Sequence, residues 1–451
     1  MKLFGTDGLR GRADEFPLDS DSVRLVGREL GRRLSGSGSE PPRVVLGGDT
    51  RESTPRILAD LGAGLVEAGC GIASAGVIPT PGVAELVLEI GAAAGVAVSA
   101  SHNPYEDNGI KIFGPDGRKW PDAEEEVLEA RLLEGRGNSL VAEADAGARP
   151  EPPDPDPGLV ATYVSRLRAG VSTSLEGLHV VLDAGNGAAF EIGPRVFRRS
   201  GASVTAICDA PDGRNINAGC GALHPGGMAA ATREAGAAFG VAFDGDADRA
   251  IFADEKGRVL DGDDVLWVVA RDWRRRGRLP AGGVVGTIMS NYGLEAAFQR
   301  EGIPFYRAAV GDRNVAKLMQ ETGAGLGGET SGHTLFAPLS PAGDGILTAL
   351  VLAAIVKQTG RRLSELATLE KMPQTLRNVR VARRVPLEES EGISGAVARA
   401  EDALRERGRV FLRYSGTEPL LRILVEGPEG TEVHAIADEL EAAARSALGV
   451  A

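Results

Sequence analysis

The chain has 451 residues, more than one hydrophobic core commonly supports, so roughly two to four domains are expected. Its 43% hydrophobic and 25% charged residues are ordinary for a globular protein, and a net charge of −13 argues against a nucleic-acid partner, which is gripped by clustered Lys and Arg. Cys70, Cys208 and Cys220 form neither a CxxC pair nor a disulfide framework, and no stretch is long and apolar enough to span a bilayer, so no membrane contact and a cytoplasmic address are expected.

From the N-terminus, Gly5-Thr6-Asp7-Gly8-Leu9-Arg10-Gly11 is a flexible loop offering one cation, Arg10. Arg43 to Asp49 is a β-branched run ending in a turn, and Pro55 to Ala68 has helical periodicity closed by Gly69. Ile72 to Val77 and Ala92 to Ser99 repeat the strand character. The proline-rich run Arg149 to Gly158 predicts a stiff connector between domains. After it the rhythm returns, with a strand over Leu178 to Asp183, a helix over Gly193 to Ser200 and a strand over Ala202 to Ala206. It comes a third time as Gly283 to Ile288, Leu294 to Glu301 and Pro304 to Tyr306, which points to a repeated α/β unit with mostly parallel pairing. The tail differs. Strands at Arg377 to Val381, Val410 to Arg413 and Ile423 to Glu426, with helices at Ile393 to Glu406 and Glu432 to Ala447, suggest a smaller α+β domain. A boundary falls near Lys371 to Pro373.

Two segments carry the strongest chemistry. Ser99-Ala100-Ser101-His102-Asn103-Pro104 follows an apolar strand, so Ser101 lies at a strand's C-terminal end, where open α/β sheets place ligands. His102 and Asn103 add polar contacts, and Lys111 can return a cation to the same place. As a phosphoserine, Ser101 would be a phosphoryl donor; the alternative is a Ser/Asn/Pro turn made for backbone reasons. The second segment is Asp244-Gly245-Asp246-Ala247-Asp248-Arg249, after the strand Phe239 to Phe243. Three carboxylates at alternate positions repel without a cation, and an oxygen-only set fits Mg²⁺. A solvated acidic turn is the alternative; a calcium loop of the EF-hand type fails for want of its final glutamate, and Arg249 suits a clamp on a bound phosphate.

Two more loops are readable. In Gly327-Gly328-Glu329-Thr330-Ser331-Gly332-His333, the side chains of Glu329, Ser331 and His333 would alternate on one face of an extended loop and read sugar hydroxyls or an amine. Arg413-Tyr414-Ser415-Gly416-Thr417-Glu418-Pro419, with Arg422, offers an anion nest of backbone NH groups, hydroxyls and guanidiniums. A Gly-rich bend and an ordinary turn between strands are the respective alternatives. Asp183 to Ala189 imitates a dinucleotide loop but lacks the spacing, and reads as a turn feeding a helix; no Walker A sequence is present.

These motifs, in this order and over essentially the whole chain, resemble the α-D-phosphohexomutases, most closely the bacterial members that act on glucosamine phosphates. The resemblance implies an α/β fold of four domains around a central cleft. Three are similar mixed-sheet α/β domains: residues 1–149 with the phosphoserine loop, 158–255 with the metal loop and 256–370 with the sugar-reading loop. The fourth, residues 371–451, is a smaller C-terminal α+β domain with the phosphate-binding loop. It further implies Ser101 as phosphoserine, with Asp244, Asp246 and Asp248 completing one Mg²⁺ site with its oxygen. Glu329, Ser331 and His333 would read the sugar. Arg413, Ser415, Gly416, Thr417 and Arg422 would hold the distal phosphate, while Arg10, His102, Lys111 and Arg249 sit near the transferring phosphoryl group. The implied activity is interconversion of glucosamine 6- and 1-phosphates through a bound glucosamine 1,6-bisphosphate, feeding UDP-N-acetylglucosamine synthesis, in a monomer or homodimer. The same chemistry on mannose or glucose phosphate, a non-catalytic sugar-phosphate sensor and a phosphatase are the alternatives. Four positions depart from the family pattern: Gly48 stands where a basic residue is usual, Ser53-Thr54-Pro55 replaces a Ser-Gly, Thr330 occupies a place often held by Gln, and Tyr414 sits in the phosphate loop.

Overall fold

The structure, a computed structural model, describes residues 3–5, 8–35, 40–135, 150–415 and 419–449. The chain first forms β1 (Phe4–Gly5), β2 (Gly8–Arg12), α1 (Ser20–Leu34), β3 (Arg43–Gly48), α2 (Thr54–Glu67), β4 (Gly71–Val77), α3 (Thr80–Ile90), β5 (Ala94–Val98), β6 (Asp107–Phe113) and α4 (Asp122–Gly135). There follow α5 (Pro157–Gly170), β7 (His179–Asp183), α6 (Ala189–Arg199), β8 (Ser203–Ile207), α7 (Gly226–Glu234), β9 (Phe239–Phe243), β10 (Ala250–Asp254) and β11 (Val259–Leu260). The third stretch is α8 (Gly262–Arg275), β12 (Val284–Thr287), α9 (Tyr292–Glu301), β13 (Phe305–Ala308), α10 (Asp312–Thr322), β14 (Leu326–Gly328), β15 (Thr334–Phe336), α11 (Gly345–Thr359) and α12 (Leu363–Leu366). The chain ends with β16 (Gln374–Arg380), α13 (Glu391–Leu404), β17 (Arg409–Tyr414), β18 (Leu420–Glu426) and α14 (Gly430–Leu448).

Among the described residues these strands make four sheets, ordered β1-β2-β6-β5-β3-β4, β11-β10-β9-β7-β8, β13-β12-β14-β15 and β16-β18-β17. The first two have a parallel centre, β4-β3-β5 and β8-β7-β9, as the repeated strand–helix–strand rhythm predicts. Each then adds antiparallel strands, β6 and β10, that return directly from the loops after β5 and β9. Those loops carry Ser101 and the three acids, so the chemistry sits at the C-terminal ends of parallel strands.

Local sequence accounts for the element ends. Pro55 occupies the first turn of α2, where a missing N–H costs nothing, and Asp261 with Asp264 makes a capping box for α8. Helix α11 is apolar all round and buried from Gly345 to Val356; Asp344 caps its start by accepting from Leu347 N, and Gly360 closes it in the left-handed region. Pro157 opens α5 behind the capping Asp156, so the connector ends two residues before the proline-rich run does. Asp156 N also donates to Ser74 O at 2.8 Å, which fastens the connector to β4. Helix α6 begins at Ala189, ahead of the expected Gly193, and runs through Pro194 because Ile192, Val196 and Phe197 are buried on its inner face.

The chain divides into two units: Met1–Ile288 with Tyr306–Thr368, and Met289–Phe305 with Leu369–Ala451. In the second, α13 and α14 cover one face of its antiparallel sheet through Ile393, Leu404, Val433 and Leu440 against Val379, Leu421, Ile423 and Val425. Met289–Phe305 belongs here for polar reasons. Asn291 exchanges hydrogen bonds with Met372 N (2.8 Å) and Met372 O (3.0 Å), and buried Glu426 accepts from Tyr292 N (3.1 Å) and pairs with Arg409.

Candidate active site

Strand β5 is buried at every position and delivers Ser99, Ser101 and His102 to its end. The loop is held from below. Asp49 and Arg51, at the end of β3, form a buried ion pair; Asp49 Oδ2 accepts from Ser99 Oγ at 2.5 Å, and Ser99 Oγ accepts from Ser101 N at 2.9 Å. Arg51 Nη2 donates to the carbonyls of Ser101 (3.1 Å) and Asn103 (2.7 Å). These bonds keep Ser101 at φ +54°, a backbone conformation rare for a residue other than glycine and concentrated at functional sites.

Ser101 Oγ donates to Asp244 Oδ2 at 2.5 Å. The loop after β9 turns on Ala247, at φ +55°, whose N–H donates to Asp244 O. This brings carboxylate oxygens of Asp244, Asp246 and Asp248, all buried, within 4.8 Å of one another. Asp246 Oδ2 accepts from Thr80 Oγ1 (2.6 Å) and from Lys111 Nζ (2.8 Å), which also reaches Asp248 Oδ2 at 3.4 Å. Asp246 Oδ1 and Asp248 Oδ1 are buried without a hydrogen bond. Three acids against one lysine, with two such oxygens, are a donor set suited to a hard divalent cation. Gly245 is required by space: a Cβ there would lie 2.5 Å from Ser101 O and 2.9 Å from Asn217 Nδ2.

The electrostatics follow. Burial, then the charges of Asp248 and Asp246, pushes Asp244 well above the usual carboxylate range, a repulsion that a cation would relieve. Burial would raise Asp248 too, but Lys111, His333 and Arg249 hold it well below that range. Burial, then the Arg249 and Arg10 guanidiniums, lowers His102 to about 4, so its imidazole is neutral at pH 7, with a buried Nδ1 that makes no hydrogen bond. His333 goes the other way. Burial opposes its charge, yet the carboxylate of Asp248, followed by those of Asp312 and Glu329, raises it to about 9.

The structure brings together Ser101, His102, Lys111, Asp244, Asp246, Asp248 and Arg249, whose N–H donates to Asp244 Oδ1 at 3.1 Å. Arg10 lies on β2, opposite Gly109 of β6, two residues from Lys111. The loop between β14 and β15 corrects one expectation. Glu329, Ser331 and His333 do not line one face of an extended segment, because Glu329 N donates to His333 O, Gly332 N donates to Glu329 O and Gly332 stands at φ +93°. That tight reversal leaves Ser331 exposed and Glu329 half-buried. It turns His333 inward, where Nδ1 is 3.7 Å from Asp248 Oδ1 and Nε2 is 3.8 Å from Asp312 Oδ2. Beside His333, Asp248 and Lys111, a cavity of 530 Å³ is also lined by Lys119, Asp312 and Arg313.

In the second unit, Arg413 and Arg422 face one another across β17 and β18, and Ser415 N donates to Leu420 O at 2.8 Å. Two guanidiniums directly opposed repel unless an anion lies between them. Gly416 and Thr417 lie outside the described residues. Sequence reasoning missed Asp49, Arg51, Thr80, Asn217 and Asp312. Only the Asp-x-Arg at the end of β3 carried any local signal, as charges in an otherwise apolar run.

Comparison with known proteins completes the assignment. Four descriptions of phosphoglucomutase/phosphomannomutase match in order: alpha/beta/alpha domain I over residues 1–138, domain II over 161–257, domain III over 261–372 and the C-terminal domain over 376–443. The chain belongs to this family, the α-D-phosphohexomutases, and is an enzyme of the isomerase class. Its curated relatives include the phosphoglucosamine mutase of Koribacter versatilis, 46% identical over 100% of this chain and 98% of that one. Another is the phosphoglucosamine mutase of Deinococcus deserti, 46% identical over 97% of this chain and 96% of that one. Among solved structures, a phosphoglucomutase/phosphomannomutase family protein from Burkholderia thailandensis shares the fold with a TM-score of 0.80 at 24% identity, covering 99% of this chain and 97% of that one. The N-acetylphosphoglucosamine mutase of Aspergillus fumigatus, solved with GlcNAc-6P and magnesium, gives a TM-score of 0.64 at 19% identity, covering 99% and 96%.

Proposed function

We propose that the chain interconverts glucosamine 6-phosphate and glucosamine 1-phosphate through a phosphoserine at position 101 and a bound glucosamine 1,6-bisphosphate. The observation that carries this reading is the 2.5 Å contact of Ser101 Oγ with Asp244 inside a cluster of three buried acids. The choice of an amino sugar rests on the names of the full-length relatives. Asp244, Asp246 and Asp248 would hold Mg²⁺ with a phosphoserine oxygen, and the bound cation would neutralise charge on the transferring phosphoryl group.

In the forward half-reaction the Ser101 Oγ–P bond breaks as a P–O bond forms to the free sugar hydroxyl. The hydroxyl proton passes by way of the unpartnered Nδ1 of neutral His102 to the departing Ser101 Oγ. Lys111 and Arg249 offset charge on the phosphoryl oxygens, and Arg10 adds a third cation. After the bisphosphate turns over, its other phosphoryl group returns to Ser101 Oγ, and the serine's proton passes back by way of His102 to the departing sugar oxygen. Each end of the sugar is then reacting in one half-reaction and merely held in the other. Arg413, Ser415, Gly416, Thr417 and Arg422 fit the holding role for a dianionic phosphate, and Glu329, Ser331 and His333 fit recognition of the sugar. The product would supply the amino-sugar 1-phosphate for UDP-N-acetylglucosamine synthesis.

Ser101→Ala with a bisphosphate activator present should show no mutase turnover, and the phosphate of wild-type protein should map to Ser101 by peptide mass spectrometry. A panel of glucosamine, glucose and mannose 6-phosphates should give the highest kcat/KM for glucosamine. Turnover by the alanine variant would sink the covalent scheme, and preference for another hexose would reassign the substrate.

A further inference from the structure

Ser101 and Asp244 come from different sheets, so the short contact between them needs something that fixes one loop against the other. Arg51 cannot do this, since it stands at the end of β3, in the same sheet as β5, and moves with the serine. Asn217 can. It lies in the turn between β8 and α7, nine-tenths buried, at φ +59°. Its Nδ2 donates to Ser101 O at 3.0 Å and to Asn103 O at 3.2 Å, the same two carbonyls that accept from Arg51.

The turn that presents this amide is anchored to the strands of the second sheet. Asn217 N donates to Gly185 O at 2.8 Å, just beyond β7. Gly221 N donates to Asp183 Oδ2 at 3.0 Å, and Ala222 N donates to Phe243 O at 2.9 Å. Phe243 is the residue before Asp244. The amide of Asn217 is thus referred to the backbone that carries the acids, while the carbonyls it grips belong to the serine loop. Thr80 makes the converse tie from the first sheet, to Asp246 O (3.1 Å) and Asp246 Oδ2 (2.6 Å), but it fixes an acid and not the serine.

We infer that Asn217 is a positioning residue for phosphoryl transfer: it holds the Ser101 loop in register with the acid cluster and aims Ser101 Oγ at the cation site. The inference rests on the phosphoserine reading of Ser101. A misplacement of about 1 Å at a reacting centre is enough to cost on the order of 100-fold in rate.

Two variants separate this role from that of a simple turn residue. Asn217→Gly removes the amide and leaves the left-handed backbone unstrained; Asn217→Asp keeps shape and left-handed tolerance but sets carboxylate oxygens against two carbonyl oxygens. With phosphorylated full-length protein and glucosamine 6-phosphate, kcat should fall about 100-fold in Asn217→Gly and further in Asn217→Asp, with KM within about threefold of wild type. Mg²⁺ affinity of unphosphorylated Asn217→Gly, measured calorimetrically so that no phosphoserine oxygen is a ligand, should stay within about threefold of unphosphorylated wild type, because none of the three acids touches the amide. Near-wild-type kcat in the glycine variant, or Mg²⁺ affinity falling in parallel with kcat, overturns the role. Failure of the underlying reading shows separately, as turnover by Ser101→Ala.

Discussion

Asp344 illustrates how a buried carboxyl outside the reacting centre shapes the molecule's response to pH. It accepts from Leu347 N at 2.9 Å and from Tyr163 Oη at 2.7 Å, yet burial raises it to about 6. The folded carboxyl therefore binds its proton more tightly than the unfolded one. Its contribution to stability is complete below about pH 4 and is lost as the pH rises through about 6, a change on the order of 3 kcal/mol. Denaturant unfolding of wild type and Asp344→Asn from about pH 4 to about pH 7 should show the wild type losing that amount relative to the variant. Parallel pH profiles would contradict it. The residues that bear the chemistry, Ser101 and the three acids, were legible from the sequence because hydroxyl and carboxylate groups crowd into short loops after apolar strands. Their supports were not. Asn217 is 116 residues from the Ser101 carbonyl it grips, and no local pattern records such a pairing.

Where β3 meets the start of α2, two departures from the family pattern prove to be one steric unit. A Cβ at Gly48 would lie 2.5 Å from Thr54 Cγ2 and 2.8 Å from Val98 O, so the Thr54 methyl fills the space that a side chain at position 48 would enter. Thr54 Oγ1 meanwhile donates to Asp49 Oδ1 at 3.0 Å and accepts from Asn108 Nδ2 at 3.1 Å, joining the network beneath the serine loop. Gly48→Ala should destabilise by about 1–3 kcal/mol through overpacking. Adding Thr54→Ser, which removes the methyl and keeps the hydroxyl, should restore about 1 kcal/mol of it in a double-mutant cycle. Additive losses would show that the two sites do not share this space. The strands and helices themselves follow from apolar periodicity and capping residues. The inward turn of His333 does not, because alternation predicts a side chain's face only while the backbone stays extended, and Gly332 breaks that condition.

For the whole chain, the two units have separate cores, and the smaller one closes over its own sheet with Val379, Leu421 and Leu440. Calorimetry should resolve two transitions, and Glu426→Ala, which removes the ion pair with Arg409 and the acceptor of the Tyr292 N–H, should lower only the second unit's transition, by about 3 kcal/mol. A single two-state transition would contradict this. The amino-acid order alone determined the α/β rhythm, the smaller C-terminal domain and the motifs that mark a phosphohexomutase, because these are written in spacings of a few residues. Only the tertiary structure decided that Met289–Phe305 packs with the C-terminal strands, that His333 faces Asp248, and that Arg51 and Asn217 hold the same two carbonyls. Those outcomes depend on hydrogen bonds and packing between segments far apart in the chain, whose geometry exists only once the sheets have formed.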